Sequence, residues 1–122
     1  MLGCNGSGKT SMLKTIAGLI KPLEGKVLVG GIEPYNAKRR EVAKLIGLTW
    51  QDPYYGFIEP TVRDEIYLIV KQTGVKPSEE IVRRLVPDYL MERDPFTLSG
   101  GEAKRVSIAS VLIADQPVWL LD

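Results

Sequence analysis

Apolar residues recur at helical spacing in several stretches and gather into short runs in others. Met12, Leu13, Ile16, Ala17 and Ile20 share one face at 3.6-residue spacing, and Lys21-Pro22 stops the run, so a helix is predicted there. Gly25-Lys26-Val27-Leu28-Val29-Gly30-Gly31 reads as a short strand leaving a turn. Glu33-Pro34-Tyr35-Asn36 breaks the chain, a short helix follows from Ala37 to Lys44, and Leu45 to Trp50 reads as a second strand. Gln51-Asp52-Pro53 ends it, because proline withdraws a donor and restricts its neighbour. Thr61-Val62-Arg63-Asp64 has the form of a capping box; Val62, Ile66, Ile69 and Val70 continue it as a helix face, and Gly74 closes it. Ser78 is expected to cap another helix, with Glu79 and Glu80 in its first turn and Arg83 and Arg84 near its end, matching the helix dipole. Pro87 and Pro95 bound a connector. Leu98-Ser99-Gly100-Gly101-Glu102 opens the last helix, which runs to about Ala114, and an apolar strand follows Pro117 from Val118.

The first helix is preceded by a motif with its own chemistry. Gly3-Cys4-Asn5-Gly6-Ser7-Gly8-Lys9-Thr10-Ser11 contains G-x-x-x-x-G-K-[ST], the Walker A or P-loop pattern. Backbone N–H groups can converge on a phosphate only where the chain approaches without Cβ clashes, and Gly6 and Gly8 permit that. Asn5, Gly6, Ser7, Gly8, Lys9, Thr10 and Ser11 therefore form the candidate phosphate cradle, at the positive end of the helix. Lys9 would reach the terminal phosphates as a charge-assisted donor, worth roughly 1.5–3 kcal/mol. Thr10 would ligate Mg²⁺ through its hydroxyl, and Ser11 would donate to a nearer phosphate oxygen.

Composition narrows the classes. Sixteen basic against fifteen acidic residues leave a net charge of +1, so no electrostatic case exists for nucleic acid or an anionic membrane. The densest basic run, Lys38-Arg39-Arg40, is followed by Glu41 and reads as a solvated face. No apolar run approaches the roughly 20 residues that span a bilayer. The single cysteine, Cys4, cannot form an intrachain disulfide, and histidine is absent, so no imidazole serves as ligand or base within these residues. Only Met1-Leu2 precede the P-loop, and the chain stops on Val118-Trp119-Leu120-Leu121-Asp122. The expectation is a segment, cropped or truncated, of a longer α/β domain.

Ser99 and Glu102 form a capping box around two adjacent glycines, each of which costs a helix roughly 0.8–1 kcal/mol against alanine. A capping box needs no ligand, yet bare N–H groups at a positive helix end suit close approach of an anion. Gly3–Ser11, then Gln51, then Leu98–Glu102, then the apolar strand ending in Asp122 resemble, in that order, the Walker A, Q-loop, signature and first Walker B residues of the ATP-binding cassette (ABC) ATPases. The resemblance spans nearly the whole chain, and the signature makes it specific.

That resemblance implies an α/β fold, a partial P-loop NTPase core with an inserted helical subdomain carrying the signature. Residues 1–60 would hold the Walker A and Q-loop part of the core, 61–98 the helical subdomain, and 99–122 the signature helix and the start of Walker B. It implies ATP and Mg²⁺ as cofactors and hydrolysis in a head-to-tail dimer with a second ABC ATPase domain. Lys9 would contact the β- and γ-phosphates, and Thr10, Gln51 and Asp122 would serve the metal. Ser99, Gly100, Gly101 and Glu102 would act in trans on the partner's ATP. Glu102 stands where many members have glutamine, and Cys4 where proline is frequent. The family's catalytic glutamate should follow Asp122 and its adenine-stacking aromatic should precede Met1, so these 122 residues alone are expected to hydrolyse ATP poorly or not at all.

The resemblance further implies the ATPase subunit of a membrane transporter, held at the inner face of the cell membrane by permease subunits that dock near the Q-loop. Tyr54, Tyr55 and Phe57 would line that dock or else pack in the core. Gln51-Asp52-Pro53 with Pro60–Ile66 is similar to energy-coupling-factor and cobalt-type importers. Two rivals stand beside this: a soluble ABC ATPase of translation or DNA repair, and an ATP-binding remnant without turnover. The short interval from Lys9 to Ser99 argues against the chromosome-maintenance and repair types, whose motifs a long coiled coil separates.

Overall fold

Two four-residue strands from distant parts of the chain pair in parallel, and the helices between them form the crossover that parallel pairing requires. The computed structural model describes the backbone of residues 7–121 and the side chains of residues 11–121. In chain order these are α1 (Ser7–Ile16), α2 (Arg39–Leu45), β1 (Ile46–Thr49), α3 (Val62–Thr73), α4 (Glu79–Leu85), α5 (Gly100–Leu112) and β2 (Val118–Leu121). Single 3-10 turns occupy Pro53–Gly56, Asp88–Leu90 and Pro95–Thr97. The register runs from Ile46 opposite Val118 to Thr49 opposite Leu121.

Two apolar cores result. Val62 and Ile66 of α3, Val82 of α4 and Ala103, Val106 and Ala109 of α5 form the larger one, closed by Phe57, Leu90 and Leu98 from the loops. Full burial of such side chains contributes roughly 1.5–3 kcal/mol each. Ala17, Val42 and Ile46 form the smaller core, beside the sheet. Helix α5 reaches the sheet as well, because β1 carries Gly47 where a Cβ would lie 2.5 Å from Val111 Cγ1. Buried Gln116 fastens the exit of α5: its Nε2 donates to the Ala43 carbonyl at 3.1 Å, and its Oε1 accepts from Trp119 Nε1 at 3.3 Å.

Local signals hold where they are short-range. Thr61 Oγ1 accepts from the Asp64 N–H at 3.1 Å, and Gly74 closes α3 in the left-handed region at φ 72°. Three expectations are corrected. The first helix ends at Ile16, before Lys21-Pro22, because Gly18 (φ 81°) closes a Schellman motif: Leu19 N–H donates to the Lys14 carbonyl at 2.8 Å and Gly18 N–H to Thr15 at 3.1 Å. Ile20 is consequently exposed. Residues 25–31 form no strand. Val29 and Ile32 exchange both backbone bonds across Gly30 (φ 56°) and Gly31 (φ 80°), a two-residue hairpin, and pairing stops at that single bridge. Ser78 gives α4 no side-chain cap; its ψ of 77° leaves the extended cap geometry, and its N–H donates instead to the Ile113 carbonyl at 2.8 Å.

The basic run 38–40 is exposed, and two of its members serve backbone carbonyls: Arg39 Nη2 donates to Pro34 at 2.6 Å and Arg40 Nη2 to Thr73 at 3.4 Å. Among the described residues no helix is long and apolar enough to cross a membrane.

Candidate nucleotide-binding site

Residues 1–6, the side chains of residues 7–10 and Asp122 lie outside the described residues, so Gly3, Cys4, Asn5, Gly6, Lys9 and Thr10 are not placed beyond one fact. The backbone of α1 is already helical at Ser7, within the motif, as the P-loop pattern requires. Ser11 is exposed, and its carbonyl accepts from Thr15 Oγ1 at 2.8 Å. Gln51 is exposed and leaves from the carboxyl end of β1, the end at which open α/β sheets bind ligands. Trp50, one residue earlier, lies beside α1, with Lys14 Nζ 5.6 Å from its ring centroid. The structure thus brings the P-loop helix and the Gln51 segment together.

The first turn of α5 shows what its glycines are free for. In α3 the opening N–H groups are spent within the chain: Val62 donates to the Arg93 carbonyl at 2.9 Å and Arg63 to Met91 at 2.8 Å. In α5 the capping box is complete, with Ser99 Oγ accepting from the Glu102 N–H at 3.2 Å and Glu102 Oε1 from the Ser99 N–H at 2.9 Å. The N–H groups of Gly100 and Gly101 precede the first helical bond, from Ala103 to the Ser99 carbonyl, and donate to no described residue. Both glycines are exposed, neither has positive φ, and a Cβ on either meets no described residue within 4 Å. Neither backbone strain nor packing within the chain calls for glycine here.

A cavity of about 270 Å³ opens beside this turn, lined by Pro87, Tyr89, Leu90, Ser99, Gly101, Glu102 and Arg105. No described residue of α1 or of the Gln51 turn lines it. The Ser99 N–H holds the Glu102 carboxyl below its ordinary pKa, so Glu102 is ionised and committed to the cap.

Three features escaped sequence reasoning. The aromatic loop after Gln51 splits: Phe57 is core at 6% exposure, Tyr55 stands out at 70%, and Tyr54 is half-buried with its hydroxyl donating to the Leu98 carbonyl at 2.6 Å. The Lys14–Trp50 contact is the second. The third is Glu65, only 5% exposed, lining a cavity of about 320 Å³ between the sheet, α3 and α5. Its carboxylate accepts from the Ile58 N–H at 2.7 Å and the Glu59 N–H at 3.3 Å, and no cation pairs with it among the described residues. The only early sign of it was an acid one position beyond the capping box.

Burial raises the pKa of Glu65, the two N–H donors oppose the rise, and the Glu59 carboxylate adds to it. The polar residues that line the cavity with it, Gln72 on the same helix and Ser107, Ser110 and Gln116 on the other walls, are neutral. A folded-state pKa above the unfolded one means that the native state holds the proton more tightly, so stability falls as pH rises from the ordinary carboxylate range through the raised value. The unfolding temperature of the parent should therefore drop more between pH 5 and pH 8 than that of Glu65→Gln, as scanning calorimetry would show; parallel pH profiles would refute this. Glu65→Leu removes the acceptor of the Ile58 and Glu59 N–H groups and should cost about 1 kcal/mol at either pH.

The chain matches the ABC transporter family model over residues 1–122. It is 39% identical to a putative ABC transporter ATP-binding protein of Archaeoglobus fulgidus, over all of this chain and 54% of the relative. It is 36% identical to the energy-coupling factor transporter ATP-binding protein EcfA1 of Mycoplasma mobile, over all of this chain and 47% of the relative. It therefore spans about half the length of the curated relatives it matches. The solved dimeric, post-hydrolysis state of the ATP-binding cassette MJ0796, bound to ADP and Pi, superposes on 98% of this chain and 57% of its own with a TM-score of 0.73 at 31% identity. A P-loop pattern running into α1, a glycine-opened and fully capped α5, and these likenesses agree: the chain belongs to the ABC transporter family and is part of its ATPase domain.

Proposed function

We propose that this chain is the P-loop and signature portion of a subunit that hydrolyses MgATP to power a membrane importer. The observation that carries it is the first turn of α5, where the N–H groups of two exposed glycines donate to no described residue. An anion fits there: the turn supplies donors and the positive end of a helix dipole, and no side chain blocks the approach. In this reading Lys9 and the backbone of residues 5–11 hold the phosphates of the subunit's own ATP, while Ser99 and Gly101 donate to the γ-phosphate held by a partner subunit. Thr10, Gln51 and Asp122 are the residues that would hold Mg²⁺, which would supply neutralisation of phosphate charge. Catalysis by these residues is positioning and charge stabilisation.

The proposal extends to the division of the chain, with residues 1–60 as the Walker A and Q-loop part of the core, 61–98 as the helical subdomain and 99–122 as the signature helix and the start of Walker B, and to a permease partner docking near Gln51 at the inner membrane face. EcfA1, by its name an energy-coupling factor transporter ATP-binding protein, supports the transport reading. MgATP binding and hydrolysis by the complete protein test it. Lys9→Ala should weaken MgATP binding by roughly 10- to 100-fold, the worth of a charge-assisted contact, and abolish turnover. A parent that neither binds nor hydrolyses MgATP, or a variant that matches it, would refute the proposal.

A further inference from the structure

The peptide unit between Leu98 and Ser99 is gripped at both ends. Its carbonyl oxygen accepts from the Tyr54 hydroxyl at 2.6 Å, and its N–H donates to Glu102 Oε1 at 2.9 Å. A peptide unit is planar, so it cannot rotate without breaking one of these bonds. Tyr54 is itself fixed. Its N–H donates to Asp52 Oδ1 at 3.0 Å, and its ring stacks on Phe96 with centroids 6.4 Å apart and meets Phe57 edge-on at 6.0 Å. Phe57 and Phe96 close the triangle at 6.2 Å. At the far side of the same segment, Trp50 meets Tyr55 edge-on at 5.0 Å and lies under Lys14 of α1. Residues 50–57 therefore form a strut with one foot on the P-loop helix and the other on the residue that precedes the signature cap.

We propose that Tyr54 is a positioning residue for the reaction, tying the turn after Gln51 to the Leu98–Ser99 peptide and so setting the orientation of the Gly100-Gly101 turn. The proposal rests on the ATPase reading for its functional half and on geometry alone for its structural half. A shift of the Gln51 segment carries the Leu98 carbonyl with it, and Ser99, Gly100 and Gly101 follow because the cap is rigid. Coupling between two sites needs such a physical link, and it is measurable as a free-energy cost at the far end.

The test uses the complete protein with Tyr54→Phe, which keeps the ring and removes only the hydroxyl. Tyr35→Phe, at an exposed tyrosine outside residues 50–57 and 98–102, is the control. In nucleotide-free protein, amide hydrogen exchange at Ser99, Glu102 and Ala103 should run about fivefold faster in Tyr54→Phe than in the parent and be unchanged in Tyr35→Phe. With MgATP, kcat should fall several-fold while KM moves by less than twofold, the mark of a group acting on the reacting arrangement rather than on nucleotide binding. Parent-like exchange at the three amides would overturn the proposal whatever turnover does, and so would faster exchange with an unchanged kcat. A parent without MgATP turnover would count against the ATPase reading alone, and the exchange rates would still decide whether Tyr54 holds the turn.

Discussion

Gly18→Ala is expected to lower the unfolding temperature of the protein by about 10 °C. Gly18 sits at φ 81°, and a Cβ there would lie 2.5 Å from both the carbonyl carbon and the oxygen of Pro34. Backbone cannot swing aside as a side-chain tip can, so either the end of α1 or the loop carrying Pro34 must move. A left-handed non-glycine residue costs roughly 1–2 kcal/mol and overpacking a further 1–3. At about 2–4 °C per kcal/mol for a domain of cassette size, the two together reach that figure. Gly25→Ala is the internal comparison: Gly25 has φ 67° with nothing within 4 Å, so it should show the conformational cost alone. Calorimetry on both variants separates the two contributions. Equal losses would mean that the contact with Pro34 carries no energy.

Gly101→Asp should have the opposite character, with folding intact and function lost. A Cβ at 101 meets no described residue within 4 Å, and an acid in the first turn of a helix is favourable by about 0.3–1 kcal/mol. Replacing glycine by aspartate adds only about 0.1–0.3 kcal/mol of helix propensity. The unfolding temperature of the isolated subunit should therefore hold or rise. If the turn faces a partner's γ-phosphate, the new carboxylate puts like charge against it, and MgATP hydrolysis should fall roughly 100-fold, the scale of losing one preorganised donor. Equilibrium binding of nucleotide to a single subunit should be unchanged, because that load falls on the P-loop. A Gly101→Asp protein that hydrolyses MgATP like the parent would show that the turn of α5 faces only solvent.

The contrast between these glycines shows how the residues divide. At Gly18 the chain's own packing demands glycine, and the demand comes from Pro34, a residue that no reading of the helix face would consult. The apolar periodicity from Met12 to Ile20 is present in the sequence, but a left-handed turn overrides it once a backbone packs against that point. The strand expected at 25–31 fails for a related reason. β-pairing needs a partner, and Gly30-Gly31 folds the segment back on itself instead.

By itself the sequence determined what interactions within a few residues decide. The N-cap at Thr61, the capping box at Ser99, the glycine stop at Gly74, the start of α1 inside the P-loop pattern and the charge order along α4 all follow from groups within one or two turns of each other. The motifs that mark the family are of this kind too, since a phosphate cradle is built from consecutive backbone donors. Tertiary structure alone decided the rest. The parallel pairing of β1 with β2, the close pass of Val111 over Gly47, the buried carboxylate of Glu65 against the Ile58 loop and the Tyr54–Leu98 bond join residues through the folded core. Tyr54 and Leu98 are 44 positions apart, and whether a tyrosine hydroxyl finds a carbonyl at that separation depends on how α3 and α5 pack, which local pattern does not encode.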